Sequence, residues 1–174
     1  MAAKKFNDFA AHKKAQSEFG YHAQTFYLWP KQLTGLTLPV KLTWSRIRFE
    51  AANTKLIAQK PGVYAFVIQH DDGNLPAHGY VAYIGETGED GTVRTLRDRY
   101  GDYLRNQQWP KRENIYEMLN KWEPCLYFHF AAVDVAAVDI MQVERLLNDA
   151  LIPPYNKRDF SPVIKKMKRI YEST

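Results

Sequence analysis

Four side chains in the middle of the chain are hard to account for by packing alone. After Asp134, the residues Ala137, Ile140, Val143, Leu147 and Leu151 recur at helical spacing, and Glu144 falls inside that stripe, four after Ile140 and three before Leu147. Stripping water from a lone carboxylate costs several kcal/mol, so Glu144 must be paired, hold a metal, or open onto the mouth of a pocket. Tyr64 and Tyr83 stand toward the outer ends of two apolar runs, PGVYAFVI and YVAYIG. Arg99, three after Leu96 and four before Tyr103, borders a second helical stripe of Val93, Leu96, Tyr100, Tyr103 and Leu104, and can lean over the surface that stripe packs on. Arg94, Arg97 and Arg105 project from other sides of that helix, toward solvent or phosphate. A carboxylate, two phenols and a guanidinium are thus the groups available for chemistry. His129 and His78 are the alternatives for proton transfer, although a lone histidine on an apolar strand is more simply a core residue.

Charge along the chain supports a division of labour. Residues 1–60 hold 10 Lys+Arg against 3 Asp+Glu, residues 61–160 hold 10 against 15, and residues 161–174 hold 4 against 1, so basic flanks enclose an acidic middle. This is the pattern expected if the flanks hold a polyanion while the centre does work that needs carboxylates. The single cysteine, Cys125, excludes an internal disulfide, and MAAKKFNDFAAHKKAQ lacks an apolar stretch of signal or membrane length. A reducing, cytoplasmic setting is the expectation, and without a CxxC pair or a His-x-x-x-His spacing a structural zinc site is not expected.

At 174 residues, one domain with an appendage is expected. A short helix is expected near 8–18, and LTWSRIRFEAANTKLI reads as strand or helix. Strands are expected near 62–69, 79–85 and 125–133, with helices over about 92–106 and 112–121. Asp134 is a plausible start for a further helix through Leu151, stopped by Pro153 and Pro154. The fold class is α/β (α+β), a small, mainly antiparallel three-stranded sheet flanked by helices. A hairpin folded symmetrically about Gly73 and Asn74 would set Tyr64 opposite Tyr83, with Tyr83 on the face of Val81.

Gly62-Val63-Tyr64, Tyr83-Ile84-Gly85, Leu96-Arg97-Asp98-Arg99 with Tyr103, Glu144 and Pro154-Tyr155-Asn156 occur in the order and style of the GIY-YIG nuclease family, which the chain resembles over about residues 60–160. The resemblance implies a metal-dependent phosphodiesterase acting on DNA, of restriction, mobile-element or repair type. It makes Tyr64 and Tyr83 the motif tyrosines, Arg99 the helix arginine, Glu144 the ligand for Mg²⁺ or Mn²⁺, and Asn156 the residue bracing the site. Tyr103 matches a Tyr or His of the family, and Glu86 stands where many members have a basic residue. Residues 1–59 would then be a basic extension packed on the domain and touching DNA, 60–160 the nuclease-like domain, and 161–174 a basic tail.

Phosphodiester cleavage needs an activated water, a stabilised phosphorane-like transition state and a neutralised leaving oxygen. Glu144 with its cation, Arg99 as fixed positive charge, and a phenol as base would meet those needs; Tyr64 is the preferred base and Tyr83 the positioning group, with the reverse also open. Contacts to double-stranded DNA are assigned to Gly85, Arg94, Arg97, Arg46, Arg48, Lys157, Arg158, Lys165 and Lys166, with Lys4, Lys5, Lys13, Lys14, Lys168 and Arg169 adding phosphate contacts. A homodimer on DNA would let one site per chain cut both strands. The alternatives are a catalytically silent DNA-binding module of the same fold and a protein-interaction scaffold.

Overall fold

In the computed structural model, which describes residues 14, 16–71, 73, 75–89, 94–109 and 111–173, an antiparallel sheet lies between two layers of helices. Its strands are β1 (Ser45–Arg48), β2 (Gly62–Ile68), β3 (Tyr80–Thr87) and β4 (Leu126–Ala132), in the spatial order β1-β4-β2-β3. The helices are α1 (Pro30–Thr34), α2 (Leu96–Gln108), α3 (Glu113–Lys121), α4 (Ile140–Leu151) and α5 (Pro162–Glu172). Every residue of β2 is buried, which is why GVYAFVI is apolar without alternation: both of its faces are covered. Tyr64, Phe66 and Phe128 face α2 and α3 through Leu96, Tyr100, Tyr103, Ile115 and Met118. Val63, Ala65 and Ala131 face α4 through Ile140, Val143 and Leu147, and Leu36, Leu38, Val40 and Leu42 close that same side.

The sheet has four strands where three were expected. The ambiguous stretch supplies the extra one, with Ser45–Arg48 pairing along β4; a short edge strand with one half-buried apolar residue leaves almost no periodicity to read. The hairpin is not symmetric either. Phe66 pairs with Tyr83 and Val67 with Val81, so Ala82 is left over as a bulge, and Tyr64 faces Gly85 and not Tyr83. The extra residue turns Ala82 and Tyr83 to the same side, so Val81 packs in the other layer, against the expectation that it shares a face with Tyr83.

Helix boundaries shift for local reasons. The second helix starts at Leu96, four residues after the expected Thr92, because Thr95 and Asp98 form a reciprocal capping box. Val93, Thr92 and Asn74 lie outside the described residues, as do Lys4, Lys5 and Lys13. Asp134 does not start a helix: its carboxylate accepts from the Ala136 N–H at 3.1 Å in a turn, whereas Asp139 accepts from the Gln142 N–H and caps α4. Ala137 is therefore exposed and outside the buried stripe. The described part of the first expected helix, Lys14 and residues 16–21, is helical. Further along, Phe26 packs on the α2–α3 side of the core, and Tyr27 and Trp29 pack against Ile152, Phe160 and Ile164. None of the helices among the described residues is long and apolar enough to cross a membrane.

His129 sits on β4 opposite Ala65, facing away from the motif tyrosines, with Nε2 2.8 Å from Oε1 of Gln69. Burial, aided by Arg46, holds its pKa below the ordinary 6.5. The unfolded chain therefore takes up this proton first, and the His129 contribution to stability is complete above about pH 6.5 and declines as pH falls below it. Melting temperatures between pH 8 and 5 should show a smaller acid loss for His129→Gln than for the wild type.

Candidate active site

The glycine that ends Tyr-Ile-Gly has a steric reason. Tyr64 and Gly85 face each other across β2 and β3, and a Cβ on Gly85 would run into the Tyr64 hydroxyl and ring. Gly62 is held the same way against the Ala131 carbonyl of β4. With no side chain at 85, the Tyr64 phenol lies flat over β3 and reaches a cluster of hydroxyls. Its oxygen is 2.8 Å from that of Tyr103, and the Tyr83 ring centroid lies 6.4 Å from the Tyr64 ring and 6.2 Å from the Tyr103 ring. The three motif phenols therefore meet despite the bulge.

Two guanidiniums serve this cluster. Arg99 comes from α2, which is fixed at its start by the Leu96 N–H on the Lys60 carbonyl at 2.9 Å and by the Thr87 hydroxyl on the Arg94 carbonyl. Arg112, the residue capping α3, donates to the Tyr103 hydroxyl at 3.4 Å and lies 5.8 Å from the centroid of that ring, and its charge also acts on Tyr83. Burial drives the Tyr64 pKa well above its ordinary value, the neighbouring phenols add to this, and Arg99 opposes it. Tyr83 is likewise raised by burial and by Tyr103, against the pull of Arg112. A guanidinium is thus the group that makes either phenol more willing to lose its proton.

Acids gather on the other side of Arg99. Glu86 pairs with Val63 on the face that α4 covers, and α4 carries Glu144. Glu86 is only 6 % exposed, and its Oε2 has no hydrogen-bond partner among the described residues. Burial and the charge of Glu89 push its pKa up to about 7, with Arg99 opposing. Burial, then Asp159, Glu86 and Glu89, push Glu144 up to about 8, again against Arg99. Glu144 opens into a cleft of about 290 Å³, which Arg145, Arg158, Asp159 and Lys165 also line. Glu86, with its orphaned oxygen, raises the resistance of Glu144 to ionisation, and as hard oxygen donors both are of the type that fits Mg²⁺ or Mn²⁺. Among the described residues no three His, Cys, Asp or Glu side chains gather to hold a metal ion.

Asn156 braces the site. Its Oδ1 accepts from the Ile84 N–H and its Nδ2 donates to the Ile84 carbonyl, both at 2.8 Å, while the Tyr155 N–H bonds the Ala82 carbonyl at 3.1 Å. Both polar atoms of that side chain bond Ile84, so Asn156 positions the strand between Tyr83 and Gly85.

The basic residues divide. Lys157, Lys165, Lys168 and Arg169 line a cleft of about 670 Å³ with Asn156, and Lys165 joins it to the Glu144 cleft; Lys166 is exposed on the same helix. Arg94 pairs with Asp102, and Arg97 donates to the Ile57 and Lys55 carbonyls at 2.9 and 3.0 Å, so both have partners within the fold. Arg46 pairs with Asp71 at 3.0 Å and Arg48 donates to the Pro124 carbonyl, at the sheet edge opposite β3. Lys14 lies 3.9 Å from Glu18, and exposed His78 contacts the Pro76 carbonyl outside the cluster. Arg112, Glu89 and Asp159 were not anticipated, and Glu86 was noted only as a departure from the motif. No family model, curated protein or solved structure matches the chain.

Gly85→Ala should cost about 1–3 kcal/mol, the range for overpacking a core. Because Tyr64 is the atom set it strikes, Tyr64→Ala in the Gly85→Ala background should destabilise less than in the wild type. Urea unfolding of the four proteins measures this; additive losses would show that the tyrosine does not occupy the space over residue 85.

Proposed function

We propose that the protein is a divalent-metal-dependent endonuclease that hydrolyses phosphodiester bonds in DNA, with a domain of GIY-YIG type over residues 60–160. The observation that carries this reading is the position of Arg99, whose charge acts both on the Tyr64, Tyr83 and Tyr103 phenols and on the Glu86 and Glu144 carboxylates. A phosphoryl group between those two sets would meet a fixed cation where its oxygens gain negative charge.

Glu144, with Glu86 beside it, would hold the cation, which when bound supplies neutralisation at the phosphoryl and leaving oxygens. Water attacks phosphorus, the bond to one ester oxygen breaks, and that oxygen leaves as a hydroxyl once protonated. Tyr64 accepts the proton of the attacking water, helped by Arg99, as its own phenol proton passes to Tyr103 across the 2.8 Å contact; Tyr103 releases its own proton to solvent, and the leaving oxygen takes one from solvent. Tyr83 orients the water or the phosphate. Lys157, Arg158, Lys165, Lys166, Lys168 and Arg169, grouped around the two clefts beside Glu144, provide phosphate contacts along a duplex.

Incubated with supercoiled plasmid and Mg²⁺, the wild type should produce nicked circles, Glu144→Ala none, and Arg99→Ala fewer by roughly 10²–10³-fold. Equal nicking by wild type and Glu144→Ala would overturn the assignment, and a salt-dependent duplex shift without nicking would leave a silent DNA-binding module. Independently of turnover, Mn²⁺ binding followed by its electron paramagnetic resonance signal should be lost in Glu144→Ala. Glu86→Gln should weaken it by roughly tenfold or more.

A further inference from the structure

Tyr103 also lines another cavity, of about 300 Å³, together with Arg94, Arg99, Arg105, Lys111 and Arg112. Asp102 is the acid among them, and it is shared by Arg94 and Arg105, so five cations face one carboxylate. Charge is not the only sign of what this cavity would take. Asn106, which also lines it, is 7 % exposed, and its Oδ1 accepts from the N–H groups of Lys111 and Arg112 at 3.1 and 3.3 Å. Those bonds fix which end of the amide is which, and the Nδ2 donor is left buried without a partner among the described residues. Arg99 Nε, on the same wall, is also a buried donor with no acceptor. Two orphaned donors and an excess of cations define a place for a guest that only accepts hydrogen bonds and carries negative charge.

We propose that this cavity binds a second phosphate of the substrate strand, next to the one being cut, with Arg112 as its principal contact. The inference rests on the phosphodiesterase reading and deepens it. Arg112 donates to the Tyr103 hydroxyl while lining the cavity, so a phosphate held there sits one side chain away from that phenol. One phosphate lies at Arg99 and Glu144, and its neighbour lies at Arg112, Asn106 and Lys111.

Inorganic phosphate is the first probe, titrated into the full chain at constant ionic strength with chloride as control and followed by nitrogen–proton NMR of the side chains. The Asn106 amide and the Arg112 Nε–H should shift saturably. Arg105→Ala/Lys111→Ala, which spares the guanidinium–phenol contacts, should bind phosphate at least about fivefold more weakly with an unchanged melting temperature. Absence of a saturable shift, or equal affinity in the double variant, overturns the cavity as an anion site. Duplex binding without metal is the second measurement, and the double variant should lower the salt slope by about one. An unchanged slope beside weakened phosphate binding would mean that the cavity takes free phosphate, which overturns its role on the strand. The two failures are distinguishable: plasmid nicking without phosphate binding sinks this proposal alone, whereas phosphate binding without nicking sinks the nuclease and, with it, the place of this site beside a phosphate being cut.

Discussion

The Tyr64 phenol can occupy its place only because residue 85 has no side chain. That contact between two neighbouring strands fixes where the hydroxyl of the first motif tyrosine ends up, and from it follow the approach of Tyr103 and of Tyr83. The pair also explains why a glycine is tolerated inside a buried strand, where it ordinarily weakens packing: the missing side chain is replaced by a ring from across the sheet. A motif written as two separate triplets is, in three dimensions, one interlocked object.

Arg99 depends on that object and gives it a partner. The sheet divides the molecule, with phenols on the α2 and α3 face and Glu86 on the face under α4. At the open end of β3 the guanidinium interacts with both groups. Buried acids and buried phenols each resist ionisation on their own. One cation between them reduces that resistance on both sides at once, an economy that a surface arginine could not provide through water.

Parts of this arrangement are legible in the sequence and parts are not, for reasons that differ by residue. Glu144 stands out because a carboxylate on an apolar helical stripe breaks its pattern, and the structure keeps it half-buried in that stripe. Gly85 is visible as a motif letter, but the ring that requires its hydrogen lies 21 residues away in the chain and across a strand pair. Pairing register is hidden because Ala82, a small apolar residue, gives no sign that it is a bulge. Glu86 reads as part of the turn-rich GETGEDGT, yet β3 runs on to Thr87 and carries it inside. Arg112 reads as the start of the next, shorter helix; only the fold of that helix back on the one before it brings Arg112 to Tyr103 and to Asn106 on the same helix.

The amide clasp of Asn156 on Ile84 has a further consequence for how molecules of this protein can meet. β3 is an edge strand, and an edge with free N–H and C=O groups is a template onto which another chain can add. Here the local Tyr155-Asn156 segment already fills those valences, while the opposite edge ends in a four-residue strand bearing Arg46 and Arg48. Growth of the sheet into a continuous ribbon between copies is therefore disfavoured at both edges, by occupied backbone groups on one and by a short, arginine-bearing strand on the other.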